Sequence, residues 1–156
     1  MLRMTVQRYA ETGETFDEIC LIYATAPLLE PSDLIEAQAA FKSAGFRAIT
    51  LAIAKFPSAP ERALRGGDDG LVRWNAPDSR LTHSQDCGPA YYDAGAFCWF
   101  TRAQVMASDS SPPLAFLPHV LPASRVVDIN DEDDFALAEA LYRGRMAMAE
   151  RRQAAV

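Results

Sequence analysis

The chain has 156 residues, of which 49% are apolar, and a formal net charge of −6 at pH 7. This length suits one domain with its own core, since domains typically contain roughly 100 to 150 residues. The negative charge argues against binding nucleic acid or an anionic membrane through a broad basic face. No stretch approaches the ~20 apolar residues of a membrane helix, and the first residues lack the apolar core of a signal peptide. We therefore expect a cytoplasmic protein without nucleic-acid or membrane partners.

The three cysteines, Cys20, Cys87 and Cys98, are odd in number and form no CxxC pair. They indicate neither a disulfide framework nor a zinc site. Cys20 and Cys98 lie within apolar runs and are interpreted as small core residues.

The first third of the chain predicts a helix, a strand, a helix and a strand in that order. The helix covers Leu2 to Glu11, and the apolar run from Asp17 to Tyr23 is typical of a strand buried on both faces. A second helix begins at Pro31 or Ser32 and ends at Gly45, and a second buried strand covers Phe46 to Ala54. This order predicts an α/β fold with a right-handed parallel crossover.

The remaining two thirds predict less regular elements. In chain order these are a hairpin from Arg62 to Trp74 around the turn GGDDG, a strand from Tyr91 to Phe100, a short helix from Thr101 to Ala107, a strand from Arg125 to Ile129, and a final amphipathic helix carrying Leu137, Leu141 and Met148 on one stripe.

The sequence VVDINDEDDFALAEALY, from Val126 to Tyr142, allows two interpretations. Residues two apart in a strand share a face, so Asp128 and Asn130 could offer two oxygen ligands to magnesium. Alternatively, Asp131 and Asp134 could cap the final helix, where acidic side chains favour the helix dipole. The cap is the simpler explanation of the segment taken alone.

Three upstream motifs favour the metal. They are CLIYATAPLLEPSDL from Cys20, PSAPERAL from Pro57 and HSQDCGPAYYDAGAFCWF from His83. Together with the acidic segment they resemble the C-terminal two thirds of the acylneuraminate cytidylyltransferases, most closely the branch that activates pseudaminic acid. The resemblance runs from about Phe16 to Tyr142. The LxARGGSKxxPxKN run with which the family begins is absent from these 156 residues.

The resemblance implies a fold and an assembly. The fold would be an α/β, three-layer, mostly parallel sheet of the nucleotide-diphospho-sugar transferase type, lacking its N-terminal part, with residues 1–156 forming one incomplete domain. Residues 60–92 would form a dimerisation arm, so we expect a homodimer. Aromatic residues favour the arm over a plain surface hairpin, namely Trp74, Tyr91, Tyr92, Phe97 and Trp99.

The resemblance also implies an activity and its residues. CMP would be transferred from CTP to a nonulosonic acid of the pseudaminic or sialic type, with magnesium held by Asp128 and Asn130 and with Asp128 as the catalytic residue. The residues implied to contact substrates are Thr25, Ser84, Gln85, Asp86, Asp93 and Gly95. Thr25 could equally belong to a turn stiffened by Pro27.

Two positions depart from the family pattern. His83 stands where relatives carry an arginine, and an imidazole does not hold a carboxylate bidentately as a guanidinium does. Asn130 stands where relatives carry a second aspartate. Losing one unit charge ~4 Å from a cation can cost roughly 4 kcal/mol at an effective dielectric of ~20, so magnesium binding should be weakened or lost.

Two hypotheses remain open from the sequence. In the first, the chain is part of a cytidylyltransferase whose CTP-binding loop is missing, so that this polypeptide alone is inactive. In the second, it is a non-catalytic sugar-acid-binding or partner subunit that keeps the arm. His83 and Asn130 favour the second, and the overall resemblance favours the first. The sequence does not distinguish which nonulosonic acid is bound.

Overall fold

A computed structural model describes residues 1–76, 88–107 and 115–154. Its elements, in chain order, are α1 (Leu2–Glu11), β1 (Glu18–Ile22), α2 (Pro31–Ser43), β2 (Thr50–Lys55), β3 (Leu64–Gly66), β4 (Val72–Trp74), β5 (Tyr91–Thr101), α3 (Arg102–Ala107), β6 (Leu117–Val120) and α4 (Glu132–Ala154). Short 3-10 turns cover Pro60–Arg62 and Ala123–Arg125. The chain is therefore an α/β protein, as predicted.

The main sheet has the strand order β1-β5-β2-β6. β5 lies between β1 and β2 and pairs with both in antiparallel fashion, whereas β2 and β6 are parallel. The expectation of a mostly parallel sheet is thus wrong, and the described sheet is mixed. The apolar run of β5 did not reveal its direction, because a buried strand shows the same near-continuous pattern in either orientation.

The core lies between the sheet and α2. β2 alternates strictly, with Thr50, Ala52 and Ala54 buried and the residues between them half-buried. Ala37 of α2 and Phe97 of β5 are fully buried and belong to the same core. Small alanines at the centre of the sheet let the helix approach closely, so that one face of the sheet is covered.

The helix α2 begins as the sequence predicted and is fixed at both ends. Glu30 is its N-cap, and the backbone N–H of Glu30 donates to Asp33 Oδ2 at 3.0 Å, which completes a capping box. Gly45 follows the last turn with φ of 65°, the left-handed conformation that favours glycine. These two caps set where the loops on either side of α2 begin.

The C-terminal region departs from the prediction in two places. Val126 to Ile129 does not form a strand. Val127 is buried, and the N–H of Ile129 donates to Thr25 O at 3.2 Å. Packing and this backbone hydrogen bond therefore hold the segment against the Thr25 loop. The sheet ends instead at β6, which the sequence analysis missed. Pro118 obscured the pattern of β6, and proline is tolerated there because β6 is an edge strand.

The hairpin β3–β4 is present as predicted. Leu64 pairs with Trp74, the N–H of Gly67 donates to Leu71 O at 2.8 Å, and Arg62 stacks over the Trp74 ring at 5.7 Å. Three of the aromatic residues assigned to the arm, Tyr92, Phe97 and Trp99, instead pack in or against the core. They lie past the point where β5 enters the main sheet. Residues 77–87 of the predicted arm lie outside the described residues.

Candidate functional site

The candidate site forms around a bulge in β5. The pairing of β2 with β5 is interrupted between the pairs Leu51–Cys98 and Ile53–Asp93. Gly95 lies inside this bulge with φ of 59°. Bulges bend a strand and redirect its side chains, and a left-handed residue at a bulge is usually glycine. The bulge therefore gives this end of β5 a shape that a regular strand lacks.

Asp128 fills the space beside the bulge. A Cβ atom added to Gly95 would lie 3.2 Å from Asp128 Cγ and 3.4 Å from Asp128 Oδ2. Asp93 contacts the same glycine, since its Oδ1 accepts the N–H of Gly95 at 2.9 Å. Two of the predicted substrate residues and the predicted metal ligand thus meet at one point, although they are far apart in the sequence.

The loop that follows β1 borders the same point where Asp128, Asp93 and Gly95 meet. The N–H of Tyr23 donates to Ala96 O at 3.0 Å, and Thr25 O accepts the N–H of Ile129. The Thr25 loop therefore runs between the bulge and the Asp128 segment. It leaves the carboxyl end of β1, where α/β sheets commonly place their ligands.

Tyr23 is exposed on this surface and is electrostatically coupled to both carboxylates. Partial burial raises the pKa of its hydroxyl, and Cys98, Asp93 and Asp128 raise it further. A tyrosine hydroxyl is protonated at neutral pH even without this shift, and it can therefore donate a hydrogen bond. The sequence analysis included Tyr23 in the loop but chose only Thr25 as a contact residue.

The acidic turn divides into two parts with different roles. Asp131 Oδ1 accepts the N–H groups of Asp133 and Asp134 at 3.0 Å, and Asp134 Oδ2 accepts the N–H of Asp131 at 3.3 Å. This is the predicted helix cap, and it is confirmed. Asp128 takes no part in it and remains exposed beside Gly95.

Asn130 lies next to Asp128, but its nitrogen faces the carboxylate. Its Nδ2 donates to Asp128 O at 3.1 Å and to Asp128 Oδ2 at 3.3 Å. Within the described ranges, no three His, Cys, Asp or Glu side chains group closely enough to hold a metal ion. Magnesium often takes only one or two protein carboxylates and completes its shell with water and phosphates. Asp128 fits that role, whereas Asn130 fits it only if its amide turns over.

A partly buried ionic network fixes the loop relative to the Asp128 segment. Arg125 Nη1 donates to Asp33 Oδ2 at 2.6 Å and to Glu30 Oε2 at 3.0 Å. Arg145 of α4 pairs with Glu30 and donates to Leu28 O at 3.2 Å. Asp33 is only 3% exposed, so its guanidinium partner offsets the cost of burying the charge.

Sequence reasoning missed this network. Arg125 was visible only as the first residue of a predicted strand, and the contacts of Arg125 with Glu30 and Asp33 join residues more than ninety positions apart. The single available signal was a pair of acidic residues at the start of α2, three positions apart, which is also the pattern of a helix cap. His83, Ser84, Gln85 and Asp86 lie outside the described residues.

Fold and site together define a class. The chain is an α/β protein with a polar, acidic surface at one end of a mixed sheet, formed by the loop after β1, the bulge in β5 and the segment before α4. No family model matches the sequence. Among the described residues, no helix is long and apolar enough to cross a membrane.

Individual relatives are more informative. The chain is 31% identical over 135 residues to the pseudaminic acid cytidylyltransferase of Campylobacter jejuni subsp. jejuni serotype O:23/36, and the match covers 84% of this chain and 56% of that protein. A second strain of the same species carries a relative of equal identity and coverage. The N-acylneuraminate cytidylyltransferase of Oncorhynchus mykiss is 27% identical, with 86% of this chain and 31% of that protein covered.

The resemblance predicted from the motifs is confirmed. Over most of its length the chain is homologous to proteins named pseudaminic acid or N-acylneuraminate cytidylyltransferase. It spans about half the length of the pseudaminic acid relatives it matches.

Proposed function

We propose that the chain belongs to a cytidylyltransferase that transfers CMP from CTP to a nonulosonic acid of the pseudaminic or sialic type. In this reaction a hydroxyl of the sugar acid attacks the α-phosphate of CTP, and pyrophosphate leaves. The observation that carries the proposal is the meeting of Asp128, Gly95 and Asp93 beside the Thr25 loop, in a chain similar to such enzymes along 84% of its length.

The residues at the bulge can each be given a role. Asp128 would hold magnesium, which when bound neutralises charge on the phosphates. Tyr23 keeps its proton and can donate a hydrogen bond to a phosphate or carboxylate oxygen. The N–H of Gly95 fixes Asp93, so that this carboxylate can accept hydrogen bonds from sugar hydroxyls. Thr25, Ser84, Gln85 and Asp86 complete the proposed substrate contacts.

Electrostatics limit what these residues can do by themselves. Asp93 and Asp128 are both exposed carboxylates at one point of a chain with net charge −6, so they repel a triphosphate unless a cation intervenes. The 156 residues contain two lysines, Lys42 and Lys55, and neither lies in a glycine-rich run. We therefore expect this polypeptide by itself to release pyrophosphate only at background rates.

The test is a chimera that places the glycine-rich basic N-terminal region of the Campylobacter relative ahead of this chain. It should release pyrophosphate from CTP with pseudaminic or N-acetylneuraminic acid, and Asp128→Ala should abolish this. Asp133→Ala removes the same charge five positions later and should leave turnover intact. A folded chimera that binds CTP but never produces a CMP sugar contradicts the proposal. So does turnover that is equally sensitive to both substitutions.

A non-catalytic sugar-acid-binding or partner subunit is the second candidate. Asn130 favours it, because it carries no charge where the resemblance implies a second metal-binding carboxylate, and His83 favours it through the loss of a guanidinium. Such a subunit would bind the sugar acid in calorimetry without CTP or magnesium. The chimera would then bind its substrates and remain inactive.

The dimerisation arm is part of the same proposal. Leu64, Leu71 and Val72 of the hairpin are 51%, 60% and 65% exposed, which is a large apolar exposure for a short two-stranded hairpin. A second copy of the chain that covers this hairpin would explain why it carries exposed apolar residues and how so short a hairpin remains folded. Placement in the cytoplasm follows from the substrates proposed, since CTP is made there.

A further inference from the structure

The last helix, α4, is far less buried than its length suggests. It covers 23 residues, and only Ala138 is buried. Leu141 and Arg145 contact the rest of the protein, but every residue from Met146 to Ala154 is exposed. The C-terminal part of α4 therefore projects away from the domain.

An apolar stripe runs along one flank of this helix. Phe135, Tyr142 and Met146 are separated by seven and four positions, which places them on the same side of a helix, with the exposed Glu139 between Phe135 and Tyr142. They are 56%, 55% and 46% exposed. Together they expose roughly 300 Å², the size of the largest apolar patch on a typical monomer, and such a patch is often functional.

The projecting end also needs support to remain helical. Isolated helices shorter than ~12 to 15 residues are marginal in water, and most helices are stabilised by packing of an apolar face. The part of α4 beyond Arg145 continues a helix that is already nucleated, but it packs no apolar face against the rest of the described chain. A partner on the apolar stripe would supply the missing packing.

We propose that the partner is the α4 helix of a second copy of this chain, packed antiparallel with Tyr142 near the two-fold axis. The first turn carries Glu132, Asp133 and Asp134, and the last turn carries Arg151 and Arg152. An antiparallel pair sets each acidic end beside the basic end of its mate and also opposes the two helix dipoles. A parallel pair would set like charges together. Because the contact uses the same patch on both copies, it closes at two.

The area involved predicts a weak contact. Three half-exposed side chains of this size offer roughly 100 Å² each, so two copies would bury roughly 600 Å² of apolar side chain. Stable interfaces bury ~1,200 Å² or more in total. We expect a dissociation constant on the order of 0.1 mM for this contact alone. It is separate from the proposed arm and does not depend on any catalytic activity.

Cross-linking tests the geometry. In the variant Tyr142→Cys, two copies should form a disulfide-linked dimer under mild oxidation with diamide, because the residue faces its own symmetry mate. Leu137→Cys places the thiol on the opposite flank at a position of similar exposure, 51%, and should form no more dimer than the parent chain with its native cysteines. Equal cross-linking of both variants, or none in Tyr142→Cys, overturns the proposal.

Two methionines provide a matched test of association. Met146→Lys should weaken concentration-dependent self-association, measured by sedimentation, at least tenfold. Met148→Lys adds the same charge on the other flank and should change it less than twofold. The Trp74→Ala variant of the arm should leave the cross-link at residue 142 in place, so failure of the arm and failure of the helix contact are distinguishable. If the Met146→Lys and Met148→Lys variants self-associate with the same dissociation constant, the α4 contact is refuted.

Discussion

The contact between Gly95 and Asp128 predicts an unusually large cost for Gly95→Ala. The left-handed φ of 59° alone should cost about 1–2 kcal/mol for a residue with a Cβ. The new Cβ would lie 3.2 Å from Asp128 Cγ, which is tighter than ordinary contact, so Asp128 must move by a few tenths of an ångström. This adds about 0.5–1 kcal/mol by the usual cost of forced repacking. We expect a total loss of roughly 1.5–3 kcal/mol.

Gly45 is the matched control. Its φ of 65° is also left-handed, but a Cβ there would meet nothing within 4 Å. Urea denaturation of Gly45→Ala should therefore show only the backbone cost of about 1–2 kcal/mol. The difference between the two variants measures the crowding of Asp128.

A double-mutant cycle isolates that crowding. In an Asp128→Ala background the nearest carboxylate atoms are gone, so Gly95→Ala should cost less by about 0.5–1 kcal/mol. A coupling energy indistinguishable from zero would refute the placement of Asp128 against the bulge, and with it the site built there. The placement would also be refuted if Gly95→Ala lowered the free energy of unfolding by no more than Gly45→Ala does.

Three further predictions concern the ionic network, the thiols and the arm. Arg125→Met should destabilise the protein by about 3 kcal/mol, the low end of the cost of breaking a buried ion pair, because the buried Asp33 loses its guanidinium but keeps the Glu30 N–H and the His119 imidazole, 3.7 Å away, as partners. Arg143→Met, which removes an exposed ion pair, should cost under ~1 kcal/mol in the same denaturation series; similar costs for both would contradict the network. Burial raises the pKa of Cys20 to about 11 and of Cys98 to about 12, so the folded state holds protons that the unfolded state releases above about pH 9. Stability should accordingly fall above about pH 9 and level off only above those folded values, and Cys98→Ala should flatten the fall measured by urea denaturation. Trp74→Ala should weaken any dimer held by the arm, and sedimentation showing an unchanged dimer would exclude the hairpin from the interface.

The sequence predicted the helices better than the sheet. α1, α2 and α4 were found because their caps and apolar periodicity are local, and the cap of α4 by Asp131 and Asp134 was among the alternatives considered. The sheet depends on contacts between distant segments. The direction of β5 depends on the end at which the chain enters the strand. The apolar composition of β5 does not indicate that end.

The candidate site shows the same limit. Asp128, Asp93 and Gly95 were chosen through a resemblance to known motifs, and the structure brings them to one place. Burial, Cys98, Asp93 and Asp128 together raise the pKa of the Tyr23 hydroxyl, and no pattern near Tyr23 in the sequence indicates that these groups approach it. The side chain of Asn130 has a donor and an acceptor end, and composition cannot tell which end faces its neighbour.

The bulge in β5 also bears on how this protein can change through evolution. Trp99 pairs with Thr50, and Tyr92 pairs with Ala54, so an odd-numbered and an even-numbered residue of one strand point to the same face. The bulge resets the alternation of the strand between its two halves. A residue gained or lost on the hairpin side can be absorbed at the bulge before it shifts the face on which Phe97 and Trp99 lie. Insertions and deletions should therefore accumulate between Trp74 and His83, ahead of the proposed substrate residues, and the strand beyond Gly95 should keep a constant length.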